Sequence, residues 1–215
     1  MILIDTYLTI KEDGQSEIEI KKSRFICSLK RVETEEEAKE FIQSLKKEHW
    51  KANHNCSAFV LGENNEIQRS SDDGEPSGTA GVPRLEVLKK HDLMNVVAVV
   101  TRYFGGTKLG AGGLIRAYSS AVSHALEDIG IVEGKRQKEL FVQIDYSLLG
   151  KLQHYLEQHH FIIKDTQFLE HITLCVMVQE EEHFKEAITD LLSGQVSFEE
   201  GDYSYVETPI KNKTS

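Results

Sequence analysis

Between Thr34 and Lys47 the apolar residues Ala38, Phe41, Ile42 and Leu45 fall at the i, i+3, i+4, i+7 spacing of an amphipathic helix. Thr34 and Glu37 form the capping box that starts one. The spacing therefore predicts a helix there. Before it, Glu17–Ile20 and Phe25–Val32 read as strands, and after it Cys56–Leu61 and Ile67–Ser70 read as a strand pair across the polar turn Gly62-Glu63-Asn64-Asn65. Ser71–Gly81 is polar and rich in Gly and Ser, which predicts a surface loop. A short helix follows, with Pro83 in its first turn and Leu85 and Leu88 inward. Asn95–Thr101 does not alternate. Its nearly continuous β-branched run is that of a strand covered on both faces. The chain then passes through a glycine-rich turn into a helical stripe, Leu114, Ala117, Tyr118, Ala121, Val122, Ala125 and Leu126, that ends at Gly130.

The polar stretch Gly134-Lys135-Arg136-Gln137-Lys138 has no apolar period, and the pattern restarts after it. Strand 139–146, helix 147–159, strand 161–168, strand 171–178, helix 181–192 and strand 196–205 give the order β-α-β-β-α-β of a split βαβ, ferredoxin-like unit. A domain boundary is expected near residue 135, giving domains 1–134 and 135–215. The tail 210–215 is expected to fray.

A chain of 215 residues suits one large or two small domains. Its net charge of −10 argues against binding a polyanion through bulk charge, so any nucleic-acid surface must be local. One region qualifies: from Arg84 to Arg116 the basic residues Arg84, Lys89, Lys90, Arg102, Lys108 and Arg116 face only Glu86 and Asp92. The longest apolar runs, such as Val96–Val100, are far shorter than the ~18 residues of a membrane span, and no membrane partner is expected. The first residues, Met1-Ile2-Leu3-Ile4-Asp5, do not resemble a secretory signal, so a cytoplasmic location is expected. Cys27, Cys56 and Cys175 sit among apolar or β-forming neighbours and read as buried free thiols.

The run Arg102-Tyr103-Phe104-Gly105-Gly106-Thr107-Lys108-Leu109-Gly110-Ala111-Gly112-Gly113-Leu114-Ile115-Arg116 carries the most chemical information. Free N–H groups where a helix starts favour an anion. Arg102, Lys108 and Arg116 would position phosphate there, and Tyr103 or Phe104 would stack on a base. The run is neither a Walker A motif nor a dinucleotide fingerprint, because Ile115 stands where the last glycine belongs. A tight strand-to-helix turn packed close to the sheet is an equally natural reading of Gly105, Gly106, Gly110, Gly112 and Gly113.

A second candidate is the loop Asp72-Asp73-Gly74-Glu75-Pro76-Ser77-Gly78-Thr79. Its carboxylates and hydroxyls suit acid–base work or a Mg²⁺ ion, but the same residues build turns, and Thr79 reads as a cap for the next helix. His54, just ahead of a strand, reads either as a ligand-facing residue or as a hydrogen-bonded structural one. A nucleophilic pair of Cys56 with His54 has little support, since residues two apart on a strand share a face without meeting in reaction geometry. His154, His159 and His160 have no zinc spacing. No catalytic residue, metal or cofactor is assigned.

The ordered motifs Asp72-Asp73-Gly74-Glu75-Pro76-Ser77-Gly78-Thr79-Ala80-Gly81-Val82-Pro83, Arg102-Tyr103-Phe104-Gly105-Gly106 and Leu109-Gly110-Ala111-Gly112-Gly113-Leu114 resemble the IMPACT family. Ala52-x-His54 and Lys22-Ser23-Arg24-Phe25 fit the same pattern. The resemblance covers roughly residues 18–130. It implies an α+β chain: a ribosomal protein S5 domain 2-like α/β domain, then a ferredoxin-like domain similar to the last domain of elongation factor G. Both folds recur in translation proteins. The resemblance therefore implies a translation-associated regulator that binds RNA or the ribosome, or a protein partner of the translation machinery. Fold analogy also leaves open an enzyme acting on a phosphorylated small molecule.

Overall fold

A computed structural model describes residues 4–210, which fall into two compact units. One comprises the described residues through Gly134 together with Glu207–Ile210; the other is Lys135–Val206. Among the described residues no helix is long and apolar enough to cross a membrane.

The first unit contains β1 (Thr6–Ile10), β2 (Gly14–Ile20), β3 (Ser23–Arg31), α1 (Glu35–Glu48), β4 (His54–Leu61), β5 (Ile67–Ser71), α2 (Gly81–Lys90), β6 (Val96–Tyr103) and α3 (Gly110–Ile129). Strands β2 to β6 form an antiparallel sheet in the order β2-β3-β6-β4-β5. Strand β6 lies at its centre, which explains the unbroken apolar run. Val96, Ala98 and Val100 join a core with the apolar stripe of α3, while Val97 and Val99 face the opposite way, towards Ala38 and Leu45 of α1. Helix α1 starts as the sequence requires: the Thr34 hydroxyl accepts the Glu37 N–H, and the Glu37 carboxylate accepts the Glu33 N–H.

The second unit holds most of β7 (Ile131–Ile144), then a 3-10 turn (Tyr146–Leu148), α4 (Leu149–Gln158), β8 (Ile162–Phe168), β9 (Ile172–Val178), α5 (Glu181–Leu191) and most of β10 (Ser197–Ile210). The strand order β10-β7-β9-β8 is that of a ferredoxin-like sheet. Leu140, Val142, Ile144, Leu174 and Val176 pack with Leu152 and Leu156 of α4 and Phe184 and Ile188 of α5. The chain is thus α+β, with an S5 domain 2-like first unit and a ferredoxin-like second one.

Three expectations need correction. Strand β1 was not anticipated. Residues 134–138 do not interrupt structure; they lie inside β7, whose hydrogen-bonded ladder tolerates the polar side chains. The last strand runs past Tyr205, and Ile210 packs against the first unit's core, so that unit takes back the end of a segment assigned to the second. The rest of the expected frayed tail, 211–215, lies outside the described residues.

Strand β1 pairs with β7, whose first four residues belong to the first unit. There the Tyr7 ring lies so close to Gly134 that a Cβ would come within 2.2 Å of it. Gly134→Ala should therefore destabilise by about 1–3 kcal/mol in urea unfolding, and the cost should shrink in a Tyr7→Ala background. Equal cost in both backgrounds would show that the ring is not the obstacle.

Candidate functional site

Strand register brings the candidate residues together. His54 at the start of β4 and Phe25 on β3 both pair with Arg102 near the end of β6. The chain then turns through 104–109 into α3. Asn53 fixes this turn from both sides, its N–H donating to the Arg102 carbonyl at 2.9 Å and its side-chain oxygen accepting the Phe104 N–H at 2.8 Å. Gly105 lies against backbone, where a Cβ would stand 2.0 Å from the Lys22 carbonyl oxygen; at this residue the packing-turn reading holds. Gly110 takes φ +72° to open α3, with no protein atom filling the space beside it. Gly112 and Gly113 belong to that helix rather than to the loop before it. The N–H groups of the first turn receive no side-chain cap, so they retain donors for an outside acceptor.

The loop 72–80 is not simply a surface loop, because Asp72 pulls it inward. The Asp72 carboxylate accepts N–H groups from Gly78 (2.8 Å), Ala80 (3.0 Å) and Gly81 (2.6 Å). It thereby caps α2, a role expected of Thr79, whose hydroxyl instead donates to the Pro76 carbonyl at 2.6 Å. Burial pushes the Asp72 carboxyl up, but the bonds from Gly81, Gly78 and Ala80 and the nearby Arg84 charge outweigh it and hold the group below its ordinary value. Asp73 ties the loop to its neighbours: its carboxylate meets the Lys46 ammonium at 2.5 Å and the Asn55 N–H at 2.6 Å.

These ties press Glu75 into the protein. One carboxylate oxygen, Oε1, accepts from Arg102 Nη1 at 2.6 Å and from the Tyr118 hydroxyl at 2.8 Å; the other, Oε2, stands 3.7 Å from His54 Nε2. Above them opens a cleft of about 450 Å³, with Asn53, His54, Glu75 and Arg102 as its polar floor and Pro76, Phe104, Leu109, Ala111 and Leu114 as its apolar walls. Lys108 and Gly110 stand along it.

The other expected residues divide. Arg102 is not a free cation, because it is 6% exposed and paired with Glu75. Arg84 is fully buried, donating to the Ser57 and Ser71 carbonyls at 3.3 and 3.0 Å, with its guanidinium 5.0 Å from the Tyr118 ring centre. The local basic surplus is therefore much smaller at the surface than in the sequence. Lys108 and Arg116 are exposed and have no ion-pair partner among the described residues, but Arg116 does not line the cleft. Tyr103 is half-buried, with Arg24 5.4 Å from its ring centre and its hydroxyl 3.0 Å from His49 Nδ1. Phe104 is 44% exposed, with the Arg102 guanidinium 5.5 Å from its ring centre. Ser77, Gly106 and Thr79 stay outside the cleft. Among the described residues no group of His, Cys, Asp and Glu is placed to hold a metal ion.

Cys56 Sγ donates to the Asp72 carbonyl at 2.9 Å, and burial pushes its thiol up, away from nucleophilic use. Burial, then Cys56 and Glu75, likewise push Tyr118 up and keep it a phenol. Tyr118 and the apolar lining at Leu109, Ala111 and Leu114 were not anticipated as site residues. Tyr118 was legible only as core stripe, since its hydroxyl meets Glu75 across 43 residues of sequence.

A two-domain α+β chain with a small, partly apolar cleft beside a helix N-terminus is the class these features define. The family model described as the Impact N-terminal domain matches residues 21–126, and one described as a domain of unknown function (DUF1949) matches 142–195. The chain is 51% identical over 212 residues to the IMPACT family member YvyE of Bacillus subtilis, covering 98% of each. It is 42% identical over 142 residues to the IMPACT family member YigZ of Escherichia coli, covering 65% of this chain and 70% of that one. A solved structure described as a hypothetical protein is 33% identical, covers 91% of this chain and 97% of its own, and superposes with a TM-score of 0.59. The chain belongs to the IMPACT family.

Asp72→Asn removes charge and acceptor capacity from the three-donor cap, so it should cost about 2 kcal/mol at pH 7. A folded-state pKa below the unfolded one adds stability above the unfolded value, near 3.9, and loses it as pH falls through the folded value. The gap between wild type and variant in urea unfolding should therefore close below about pH 4; a gap that stays constant from pH 7 to pH 3 would refute the cap.

Proposed function

We propose that this protein is a non-catalytic RNA-binding factor of the translation apparatus that engages a single-stranded segment, rRNA included, at the cleft of its first unit. One juxtaposition supports this reading. The uncapped first turn of α3 and the exposed Lys108 ammonium offer a seat for one phosphate, and the exposed Phe104 ring beside them offers a stacking face for the adjoining base. With net charge −10, affinity at this site depends on these few local contacts, and its salt dependence is shallow. The translation setting comes from the family resemblance and from the recurrence of both folds among translation proteins.

A second reading, an enzyme acting on a phosphorylated small molecule, draws on His54 and Glu75 sharing the same floor. Its signature would be a higher melting temperature with mononucleotide and Mg²⁺, in a protein that retains no RNA.

Fluorescence anisotropy with labelled single-stranded RNA tests the first reading. Phe104→Ala should weaken binding by about 1–3 kcal/mol. Lys108→Ala should weaken it and lower the slope of log K against log salt by about 0.7, the single-strand value for one phosphate. Arg116→Ala, at a residue that does not line the cleft, should have a smaller effect. Unchanged affinity in both Phe104→Ala and Lys108→Ala overturns the site.

A further inference from the structure

The chain has a single tryptophan, and it stands where neither the backbone nor a core requires it. The Ala52 N–H donates to the His49 carbonyl at 2.9 Å, closing a turn whose two corner residues are Trp50 and Lys51. Such corners favour glycine, proline, asparagine, aspartate and serine, so the turn itself does not ask for an indole. Nor does packing: Trp50 is 73% exposed, with the Lys51 ammonium 5.0 Å from its ring centre. A solitary exposed apolar residue is ordinary, but Trp50 is neither solitary nor far from the cleft.

Topology puts this turn at the end of the sheet where the cleft opens. Strand β4 begins four residues after Trp50, and its His54 pairs with Arg102 near the end of β6. Asn53, whose hydrogen bonds of 2.9 and 2.8 Å fix the turn at Phe104, is three residues from Trp50. Three residues of chain span at most about 11 Å. The other flank is held as well, since the His49 N–H donates to the Leu45 carbonyl at 2.8 Å and its Nδ1 lies 3.0 Å from the Tyr103 hydroxyl. The indole is therefore presented from a fixed backbone, which lowers the ordering cost of a contact.

Charge distinguishes the kinds of partner. Lys46 is tied to Asp73, but Lys47 and Lys51 are exposed and make no ion pair among the described residues. Glu48 is the acidic residue between them. The centres of protein–protein interfaces are depleted in lysine, whereas surfaces for single-stranded nucleic acid set cations beside aromatic faces. We infer that single-stranded RNA leaving the cleft stacks a second base on Trp50, with Lys51 and Lys47 on the flanking phosphates. This inference rests on the RNA reading above and extends its footprint beyond the base at Phe104.

Because no other tryptophan is present, the emission of Trp50 reports this contact directly. Titrating the full chain with single-stranded RNA of about 12 nucleotides, within the usual range of site sizes, should quench that emission. The quenching should run in step with the anisotropy of the same RNA carrying a label. Trp50→Ala should weaken binding about 10-fold, the scale of one base stack, and Trp50→Phe should restore most of the loss. Lys51→Ala should lower the slope of log K against log salt by about 0.7. Binding that depends on Phe104 and Lys108, yet leaves Trp50 emission unchanged and is indifferent to Trp50→Ala, overturns this inference. That result leaves the RNA reading standing and a protein contact as the reading of Trp50. No binding to RNA overturns both. Binding that quenches Trp50 but ignores Phe104→Ala and Lys108→Ala sustains the stack on the indole and overturns the cleft as the RNA site.

Discussion

The first unit is organised around one buried carboxylate. Glu75 sits in a loop rich in turn-forming residues, yet its side chain is held under cover by a guanidinium from the central strand and a phenol from the longest helix. A buried carboxylate without such partners would be expelled or protonated. The same contact therefore fixes three elements at once: where the loop enters, where β6 ends, and how α3 is rotated about its axis. The cleft is the space left when these three are set.

Charge placement follows from that arrangement. A count of cations along the chain suggests a basic face, but two arginines are spent inside, Arg102 on Glu75 and Arg84 on backbone carbonyls beneath Tyr118. Among the described residues, Lys108 lines the cleft beside the first turn of α3, and the exposed Arg116 stands on the same helix. Under the RNA reading proposed above, this surface would place one phosphate rather than attract a polyanion from a distance, in keeping with a net charge of −10.

The elements were largely legible because their signals are local. The stripe of α3, the capping box of α1 and the two-sided burial of β6 each follow from spacing within a few residues, and the β-α-β-β-α-β order gave the second fold. Strand β1 was missed because a five-residue segment has too little alternation to stand out, and 134–138 misled because ladder hydrogen bonds do not require apolar side chains. The site was legible as a set of residues but not as a set of roles. Asp72 and Glu75 look alike in sequence; one caps a helix and the other carries the floor, and only contacts made across tens of residues distinguish them. Glycines 105 and 110 similarly share a motif while answering different needs, close backbone approach in one and a left-handed turn in the other.

The chain passes from one unit to the other twice, within β7 and again within β10, and its closing residues return to complete the first core. Arg31 donates to the Ile10 and Lys11 carbonyls and also holds Glu207, and Ile210 packs among the first unit's apolar side chains. During synthesis, the first unit would lack Glu207–Ile210 until all of the second unit had been made. A cut at the 134/135 junction would leave the second unit whole, still carrying Glu207–Ile210, and the first unit without them.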